Sequence, residues 1–382
     1  MSALRTREAF EREEVERLAP VAAHSARSRG RHFAEPEHPY RTAYQRDRDR
    51  IVHSRAFRRL EYKTQVFVPH EGDHYRNRLT HSLEASQISR SLARMLRLNE
   101  ELAEAVALSH DLGHTPFGHA GERVLARLMK PYGGFDHNRQ SLRVVDWLEE
   151  RYPSFHGLNL TYESREGILK HGCHWDHPLP VPASTPQRGL EAQLADKADE
   201  IAYTNHDIDD GLRSGLLAAS ELDEVPLWRD MLVATRERVG AVPPRVLHAQ
   251  TIAALINALV GDLAEASAAR IAGSGARSLD EVRQCRETLI GFSPETGARF
   301  LALKRFLSER LYHHPRVLER NEPAEHVIGE LFEAYAADAA RLPDSVRTRF
   351  EEDGRERAIA DYIAGMTDRF ALGEQRRLAE AS

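Results

Sequence analysis

Hydrophobic residues recur at helical spacing along most of this chain. Apolar positions three and four residues apart are typical of amphipathic helices, whereas strands alternate apolar and polar positions, a pattern with little support here. The spacing predicts helices at residues 42–60, 82–110, 137–151, 190–215, 246–270, 295–312, 324–339 and 355–371. We therefore expect an all-α fold.

One predicted helix ends in a dense polar segment. Asn99, followed by two glutamates, is a typical helix start, because its side chain caps free amides and the acids favour the positive end of the helix dipole. Gly113 and Pro116 stop the same helix. Residues 110–122, which read HDLGHTPFGHAGE, therefore lie where the chain turns and side chains can converge.

The residue types in this segment suit a metal hydrolase. Adjacent His110 and Asp111 can offer a neutral imidazole and an anionic oxygen to one divalent ion. His119 and Glu122 follow closely enough to carry protons beside that ion. The segment by itself thus predicts a metal hydrolase site.

Composition and length indicate the cellular compartment and the domain organisation. The chain has 382 residues, a formal net charge of -6 and two cysteines. Two cysteines cannot build a disulfide framework, and no signal-peptide segment or long apolar run is visible, so we expect a cytoplasmic protein with no membrane span. We expect an extension at 1–40 that is either mobile or packed on a neighbouring subunit, a catalytic core at 41–220, and a helical region at 221–382 packed on that core.

A basic strip stands out against the acidic total. Residues 41–63 hold eight Lys and Arg side chains and three acids. Such a strip indicates either a local anionic ligand or a solvated helix face with ion pairs, and the sequence leaves both interpretations open.

Further candidate chemistry is dispersed along the chain. Asp199, Tyr203 and Asp207 are spaced by four residues on a predicted helix, so one face can present a carboxylate to a metal and a Tyr/Asp pair to a ligand hydroxyl. His81 alone is more typical of a structural or surface histidine. Lys170 is either a phosphate partner or a cation at a helix C-terminus. The proline-rich stretch 172–189 predicts an irregular connection that forms a rim or lid over the site.

Together these motifs resemble a known family. The order His81, His110-Asp111, Asp199 is that of the HD-domain metal phosphohydrolases. Residues 46–67, which read RDRDRIVHSRAFRRLEYKTQVF, resemble the N-terminal signature of bacterial deoxyguanosinetriphosphate triphosphohydrolases, as do 110–122 and 199–207. The similarity runs from about residue 40 to the segment 361–368. It implies an all-α HD-domain core elaborated by N- and C-terminal helices.

The resemblance also implies an activity and a role for each matching residue. The reaction would be metal-dependent hydrolysis of dGTP or several dNTPs to deoxynucleoside and inorganic triphosphate. The metal ligands would be His81, His110, Asp111 and Asp199. The residues that handle protons and phosphate oxygens would be His119, oriented by Glu122, together with His114 and His137. The substrate contacts would be Arg78 and Lys170 to the triphosphate, Tyr203 and Asp207 to the deoxyribose, and Gln65 to the sugar or base side.

The implied cofactor is a divalent ion, Mn²⁺ or Mg²⁺ first, with Fe, Co, Ni or Zn as further candidates. The implied partners are a dNTP substrate and further copies of the chain in a homo-oligomer, with a nucleotide activator at a subunit interface and single-stranded DNA left open. Two alternative functions also stay open: another HD phosphohydrolase acting on a nucleoside monophosphate or cyclic nucleotide, and a protein that senses nucleotides or single-stranded DNA with low turnover.

Overall fold

The computed structural model describes residues 4–65, 76–169, 177–183 and 185–380. Within those ranges the chain is built from helices and loops, with isolated β-bridges and no strand. The all-α fold predicted from the sequence is therefore confirmed.

Nine α-helices precede residue 215 within the described ranges. They are α1 (Arg7–Arg17), α2 (Ala43–Val52), α3 (Arg55–Arg59), α4 (Arg78–Met95), α5 (Glu100–Ser109), α6 (Gly118–Leu128), α7 (His137–Arg143), α8 (Tyr162–Ile168) and α9 (Leu190–Ser214). A π-helical segment, Val144–Leu148, extends α7.

Ten helices follow in the described C-terminal part. They are α10 (Ala219–Leu222), α11 (Pro226–Val239), α12 (Pro244–Ser274), α13 (Leu279–Arg283), α14 (Pro294–Leu307), α15 (Pro315–Ala337), α16 (Asp344–Arg347), α17 (Phe350–Asp353), α18 (Arg355–Ala364) and α19 (Asp368–Glu380). A second π-helical segment, Ser308–Tyr312, extends α14.

Helices α4, α5 and α9 pack on one another at the centre of the molecule. They bury apolar side chains such as Leu92, Ala103 and Ile201 in one large core, which also takes in residues from α11, α12 and α14. A second core joins α6 to α15, α18 and α19, with Leu125, Leu331 and Ile363 fully buried. The candidate catalytic segment leaves α5 and enters α6, so it lies where the two cores meet.

Local capping explains where the predicted helix at 82–110 divides. The first part starts earlier, at Arg78, and ends at Met95. Arg97 then takes a left-handed backbone conformation with φ of 56°, which interrupts the helix. Asn99 caps α5 by accepting a hydrogen bond from the amide of Leu102, as its side chain predicted.

Two other predicted helices are split in the same way. The run at 42–60 breaks at Ser54, whose side chain accepts from the amide of Phe57 and starts α3. The run at 355–371 breaks after α18, and α19 begins at Asp368. Hydrophobic periodicity continues across each break, which is why the spacing predicted one helix in each case.

The predicted helix at 324–339 is longer in the structure instead of split, although the observed helix contains two prolines. The structure starts this helix at Pro315, where a proline is tolerated because the first turn has no internal partner for its amide. The helix then continues through Pro323, a position that usually ends a helix. The pattern also missed α1, α6, α8 and α11 and the short α10, α13, α16 and α17. Helix α1 is mostly charged, and α8 and the four short helices are too short to show a period.

The described part of the N-terminal extension packs on its own chain. Leu18, Val21 and Ala22 are buried in the large core. Glu14 is buried as well and accepts hydrogen bonds from Ser25 and from the Asn99 side chain at the start of α5. This segment therefore buttresses the helix that carries the candidate catalytic residues.

Helix α12 corrects one expectation. The sequence was expected to hold no apolar run long enough to span a membrane. Helix α12 is nevertheless long and apolar enough by length and composition, and 28% of its apolar 18-residue window is buried. Its Leu255, Leu259 and Leu263 are buried in the large core. A core helix passes the same test, so one such helix is weak support for a membrane span.

Candidate active site

A cavity of about 720 Å³ opens where the two cores meet. Its walls come from α4, from the loop between α5 and α6, from α6, α7 and α9, and from the segment around Tyr312. All the site residues predicted from the sequence line it except Glu122 and Lys170. Glu122 contacts two of the lining histidines, whereas Lys170 lies outside the described residues.

Local geometry aims the catalytic segment into this cavity. Gly113 packs so closely on α7 that a Cβ there would lie 2.2 Å from the amide nitrogen of Ser141, so close packing on α7 requires a glycine at this position. Phe117 has φ of 60°, which turns the chain into α6 and brings His119 into the first turn of that helix. Asp368 accepts hydrogen bonds from the amides of Phe117 and Thr64 and so ties α19 to two loops of the cavity wall.

Three donors from three parts of the chain form a tight cluster. His81 Nε2 lies 3.2 Å from His110 Nε2 and 3.1 Å from Asp199 Oδ1, and His110 Nε2 lies 3.5 Å from the same Asp199 oxygen. Ligands that sit about 2.1 Å from one ion at right angles are about 3 Å apart. The spacing therefore fits a single divalent ion.

The other nitrogen of each histidine is already engaged. His110 Nδ1 lies 2.6 Å from the carbonyl oxygen of Ala107, which can only accept, so this nitrogen carries the hydrogen and leaves Nε2 with a lone pair. His81 Nδ1 lies 2.9 Å from His206 Nε2. Burial lowers the pKa of His81, which favours the neutral imidazole that a metal needs.

Asp111 lies at the edge of this cluster. Its Oδ1 is 3.2 Å from His110 Nε2, but it is not among the three residues whose donor atoms all lie within 4.8 Å of one another. Its Oδ2 accepts from Arg78 Nη1 at 2.9 Å. Burial alone would raise the pKa of Asp111, but the charges of His110 and Arg78 outweigh it and hold the pKa well below the ordinary value. Its role as a metal ligand stays a prediction.

A second cluster adjoins the first, with His114 Nε2 3.3 Å from Asp111 Oδ1. Glu122 accepts from His119 Nδ1 at 3.1 Å through one oxygen and from His137 Nδ1 at 2.7 Å through the other. The rings of His114 and His137 stack with centroids 4.1 Å apart. Burial alone would raise the pKa of Glu122, but its hydrogen bonds to His119 and His137 lower it well below the ordinary value. Glu122 is thus an anion that orients two imidazoles.

His119 and His114 differ sharply in their surroundings. The His119 side chain is 68% exposed, so it can meet a ligand that enters the cavity. His114 is buried, and burial, reinforced by the charge of Arg78, lowers its pKa well below the ordinary value. The pair therefore offers one accessible proton carrier beside one neutral imidazole.

The face of α9 predicted from spacing does point into the cavity. Tyr203 and Asp207 both line it, one and two turns after Asp199. Asp207 Oδ2 accepts from the hydroxyl of Tyr312 at 2.5 Å, which brings the C-terminal region into the site. Gln65 also lines the cavity, and its Oε1 is buried with no hydrogen-bond partner among the described residues.

Four of the eight basic side chains in the strip at 41–63 pair with half-buried carboxylates. Arg41 pairs with Asp49, Arg48 with Asp49, Glu101 and Glu104, and both Arg46 and Arg50 with Glu35. The structure therefore supports the ion-paired helix face for these four side chains. Lys63, at the end of the strip, is fully buried and donates to the carbonyl oxygens of His114 and Ala364.

Sequence reasoning missed three residues of the site. Arg123 lines the cavity one turn after His119 on α6. Tyr312 is the last residue of the predicted helix at 295–312, and helical spacing alone assigns no role to its side chain. His206 lies two turns after Asp199, so the helical period that selected Tyr203 could also have selected it.

Comparisons with known proteins agree with this geometry. The HD domain matches residues 78–204 and the phosphohydrolase-associated domain matches residues 290–377. The chain is 52% identical over 368 residues to the deoxyguanosinetriphosphate triphosphohydrolase-like protein of Geobacter metallireducens, covering 95% of each chain. It is 53% identical over 367 residues to the protein of that name from Ralstonia pickettii, covering 94% of each. The chain therefore belongs to the deoxyguanosinetriphosphate triphosphohydrolase-like family of HD-domain proteins.

Proposed function

We propose that this protein hydrolyses deoxynucleoside triphosphates, dGTP or several of them, to deoxynucleoside and inorganic triphosphate with the help of a divalent ion. The observation that carries the proposal is the placement of the His81, His110 and Asp199 cluster in one cavity with an accessible histidine–glutamate pair and a Tyr/Asp face. These are the parts that a phosphoryl-transfer site on a sugar phosphate needs.

The metal would be held by His81, His110, Asp111 and Asp199. Two imidazoles and two carboxylates suit Mn²⁺ or Mg²⁺, and also Fe, Co, Ni or Zn. When bound, such an ion supplies a Lewis acid and a template for in-line attack at the α-phosphorus.

The protein's own residues would move the protons. Water forms a bond to the α-phosphorus, the bond from that phosphorus to the sugar O5′ breaks, and O5′ leaves with the electron pair and takes up a proton. His119, held by Glu122, is the accessible group that can exchange this proton with the attacking water or with O5′. His114 and His137 would contact the phosphate oxygens beside it.

Cations lining the cavity would bind the triphosphate. Arg78 reaches the cavity from α4, although one of its nitrogens is engaged with Asp111. Arg123 is exposed on the wall that carries His119 and so faces the substrate's phosphates from the proton-carrying side. We assign both to the triphosphate, with Lys170 as a further candidate. Each can donate charge-assisted hydrogen bonds to phosphate oxygens.

The cavity wall formed by α9 and Tyr312 would bind the sugar. Asp207, steadied by Tyr312, is placed to accept from the 3′-hydroxyl, and the ring of Tyr203 would pack under the deoxyribose. A ring in that place leaves no room for a 2′-hydroxyl, which would select against ribonucleotides. The Gln65 oxygen, which has no hydrogen-bond partner among the described residues, would be available to the sugar or base side.

The cellular compartment, the oligomeric state and the further partners of the enzyme form part of the same proposal. We expect a cytoplasmic homo-oligomer, and a nucleotide activator at a subunit interface or single-stranded DNA as further partners.

Product analysis tests the proposal. Protein loaded with Mn²⁺ or Mg²⁺ is given each of the four dNTPs, and the phosphorus products are identified by ³¹P NMR. We expect inorganic triphosphate in wild type and none from the His110→Ala variant, which should also lose bound metal. A matched control, His313→Ala, alters another cavity histidine outside the donor cluster and should keep its metal. Pyrophosphate or single phosphate as the only product would overturn the reaction, and unchanged metal content in His110→Ala would overturn the ligand set.

A further inference from the structure

His206 is a buried histidine of α9 that has no part in the chemistry described above. Its Nε2 lies 2.9 Å from His81 Nδ1, and its Nδ1 lies 2.9 Å from Asp207 Oδ1. The side chain is only 2% exposed, so it cannot reach substrate directly. It therefore stands between a candidate metal ligand and the carboxylate that faces the sugar.

The contacts of His206 determine which nitrogen of each ring carries hydrogen. If His81 offers its Nε2 lone pair to a cation, the neutral ring must carry its hydrogen on Nδ1. That hydrogen needs an acceptor, and His206 Nε2 is the atom 2.9 Å away. His206 must then carry its own hydrogen on Nδ1, which is the nitrogen that faces the Asp207 carboxylate.

Helix α9 contributes two residues to this arrangement. Asp199 on α9 belongs to the donor cluster, and His206, two turns later on the same face, supports the His81 ring on α4. The outer nitrogen of a metal-bound histidine usually donates to a group that fixes its tautomer and ring orientation. An apolar side chain would fill the same space, but it would leave the hydrogen on His81 Nδ1 without an acceptor.

We propose that His206 is a positioning residue for the metal site. It fixes the tautomer and orientation of His81, with the Asp207 carboxylate 2.9 Å from its other nitrogen, and so raises the affinity of the protein for its divalent ion. The inference rests on the proposed role of His81 as a metal ligand.

Metal binding without nucleotide tests this inference. The affinity of the full-length protein for Mn²⁺ is measured by calorimetry, and the visible absorption of a Co²⁺-loaded sample reports the ligand geometry. His206→Leu removes the acceptor and should weaken Mn²⁺ binding about 10- to 100-fold. His206→Gln places an amide oxygen near the position of Nε2 and should restore affinity to within about 3-fold of wild type, because that oxygen can accept from His81.

Two further variants protect the test against simple misfolding. The shorter side chain in His206→Asn can reach Asp207 but not His81, so this variant should lose Mn²⁺ affinity as the leucine variant does. If the leucine variant does not fold, comparison of the Asn and Gln variants shows whether metal binding needs an acceptor beside His81. His24→Leu changes another buried histidine, whose Nε2 lies 3.3 Å from the carbonyl oxygen of Ala19, and should leave Mn²⁺ affinity unchanged.

The outcomes separate this inference from the proposed function. Wild-type Mn²⁺ affinity in folded His206→Leu or His206→Asn would overturn it, as would unchanged affinity in His81→Ala. Weakened metal binding in those variants, together with a wild-type protein that releases no triphosphate, would support the role of His206 and contradict the proposed reaction instead.

Discussion

At the scale of single residues, the site depends on polar atoms that lie close together although they are far apart in sequence. His81, His110 and Asp199 come from three separate segments, yet their donor atoms all lie within 4.8 Å of one another. Motif order could predict this set because each residue belongs to a short recognisable segment. His206 could not be singled out in that way, since its contact with His81 depends on how α4 and α9 cross.

Arg123 provides a test of substrate binding. Replacing it with alanine should raise KM for a dNTP about 10-fold, the loss expected for one hydrogen bond to a charged group, and leave kcat within about 3-fold. The measurement is steady-state kinetics with triphosphate release as readout. Arg127 lies one turn further along α6, is also exposed and does not line the cavity, so Arg127→Ala is a matched control. Equal effects in the two variants would remove Arg123 from the binding site.

Lys63 gives a pH-dependent prediction for stability. Its burial, with help from the charges of Arg59 and Arg78, lowers the pKa from 10.5 to about 7. Between those two pH values the unfolded chain holds the proton more strongly than the folded protein does. The contribution of Lys63 to the free energy of unfolding should therefore increase as pH rises from about 7 toward 10, by at most ~1.4 kcal/mol per pH unit.

Comparison with Lys63→Met isolates this contribution. Urea unfolding of both proteins at several pH values from 7 to 9.5 should show a less positive slope of stability against pH in the variant. All other titrating groups are common to both, so they cancel in the difference. Parallel pH profiles would show that Lys63 titrates normally in the folded protein.

At the scale of helices, a buried ion-pair network joins the catalytic core to the C-terminal region. Arg143, which ends α7, donates to both oxygens of Asp361 on α18, and it also pairs with Asp353. The side chains of Arg143 and Asp361 are 3% and 0% exposed. The network holds α18 against the helix that carries His137.

Asp361→Asn should be strongly destabilising. It removes one of the two buried carboxylates that pair with the Arg143 guanidinium, and breaking a buried pair costs about 3–5 kcal/mol. Denaturant unfolding measures the loss. Asp344→Asn makes the same chemical change in a surface pair with Arg347, where the side chain is 88% exposed, and should cost less than ~1 kcal/mol. A loss near the surface value for Asp361→Asn would show that the network contributes little.

Helices were easier to predict than their ends. Apolar spacing placed the central run at 190–215 within a residue of the observed α9, because a long buried helix shows its period clearly. The breaks at Ser54 and after Met95 depend on single caps and one left-handed residue, which leave the hydrophobic period intact. Helix α15 runs through Pro323 because tertiary packing outweighs a local signal there.

At the scale of the whole molecule, the active-site cavity lies between two hydrophobic cores and draws on both. The HD-domain match at 78–204 contains the donor cluster and the residues proposed to carry protons, whereas Tyr312 belongs to the phosphohydrolase-associated match at 290–377. Its hydroxyl reaches Asp207 across 105 residues of sequence. Such a contact follows from the docking of one region on the other, and no local motif encodes it.

Hydrolysis in ¹⁸O-labelled water tests the proposed reaction most directly. If water attacks the α-phosphorus and the bond to the sugar O5′ breaks, one ¹⁸O atom enters inorganic triphosphate and none enters the deoxynucleoside, as mass spectrometry of the separated products would show. Label in the deoxynucleoside hydroxyl, or in pyrophosphate or single phosphate with no labelled triphosphate, would contradict the proposal.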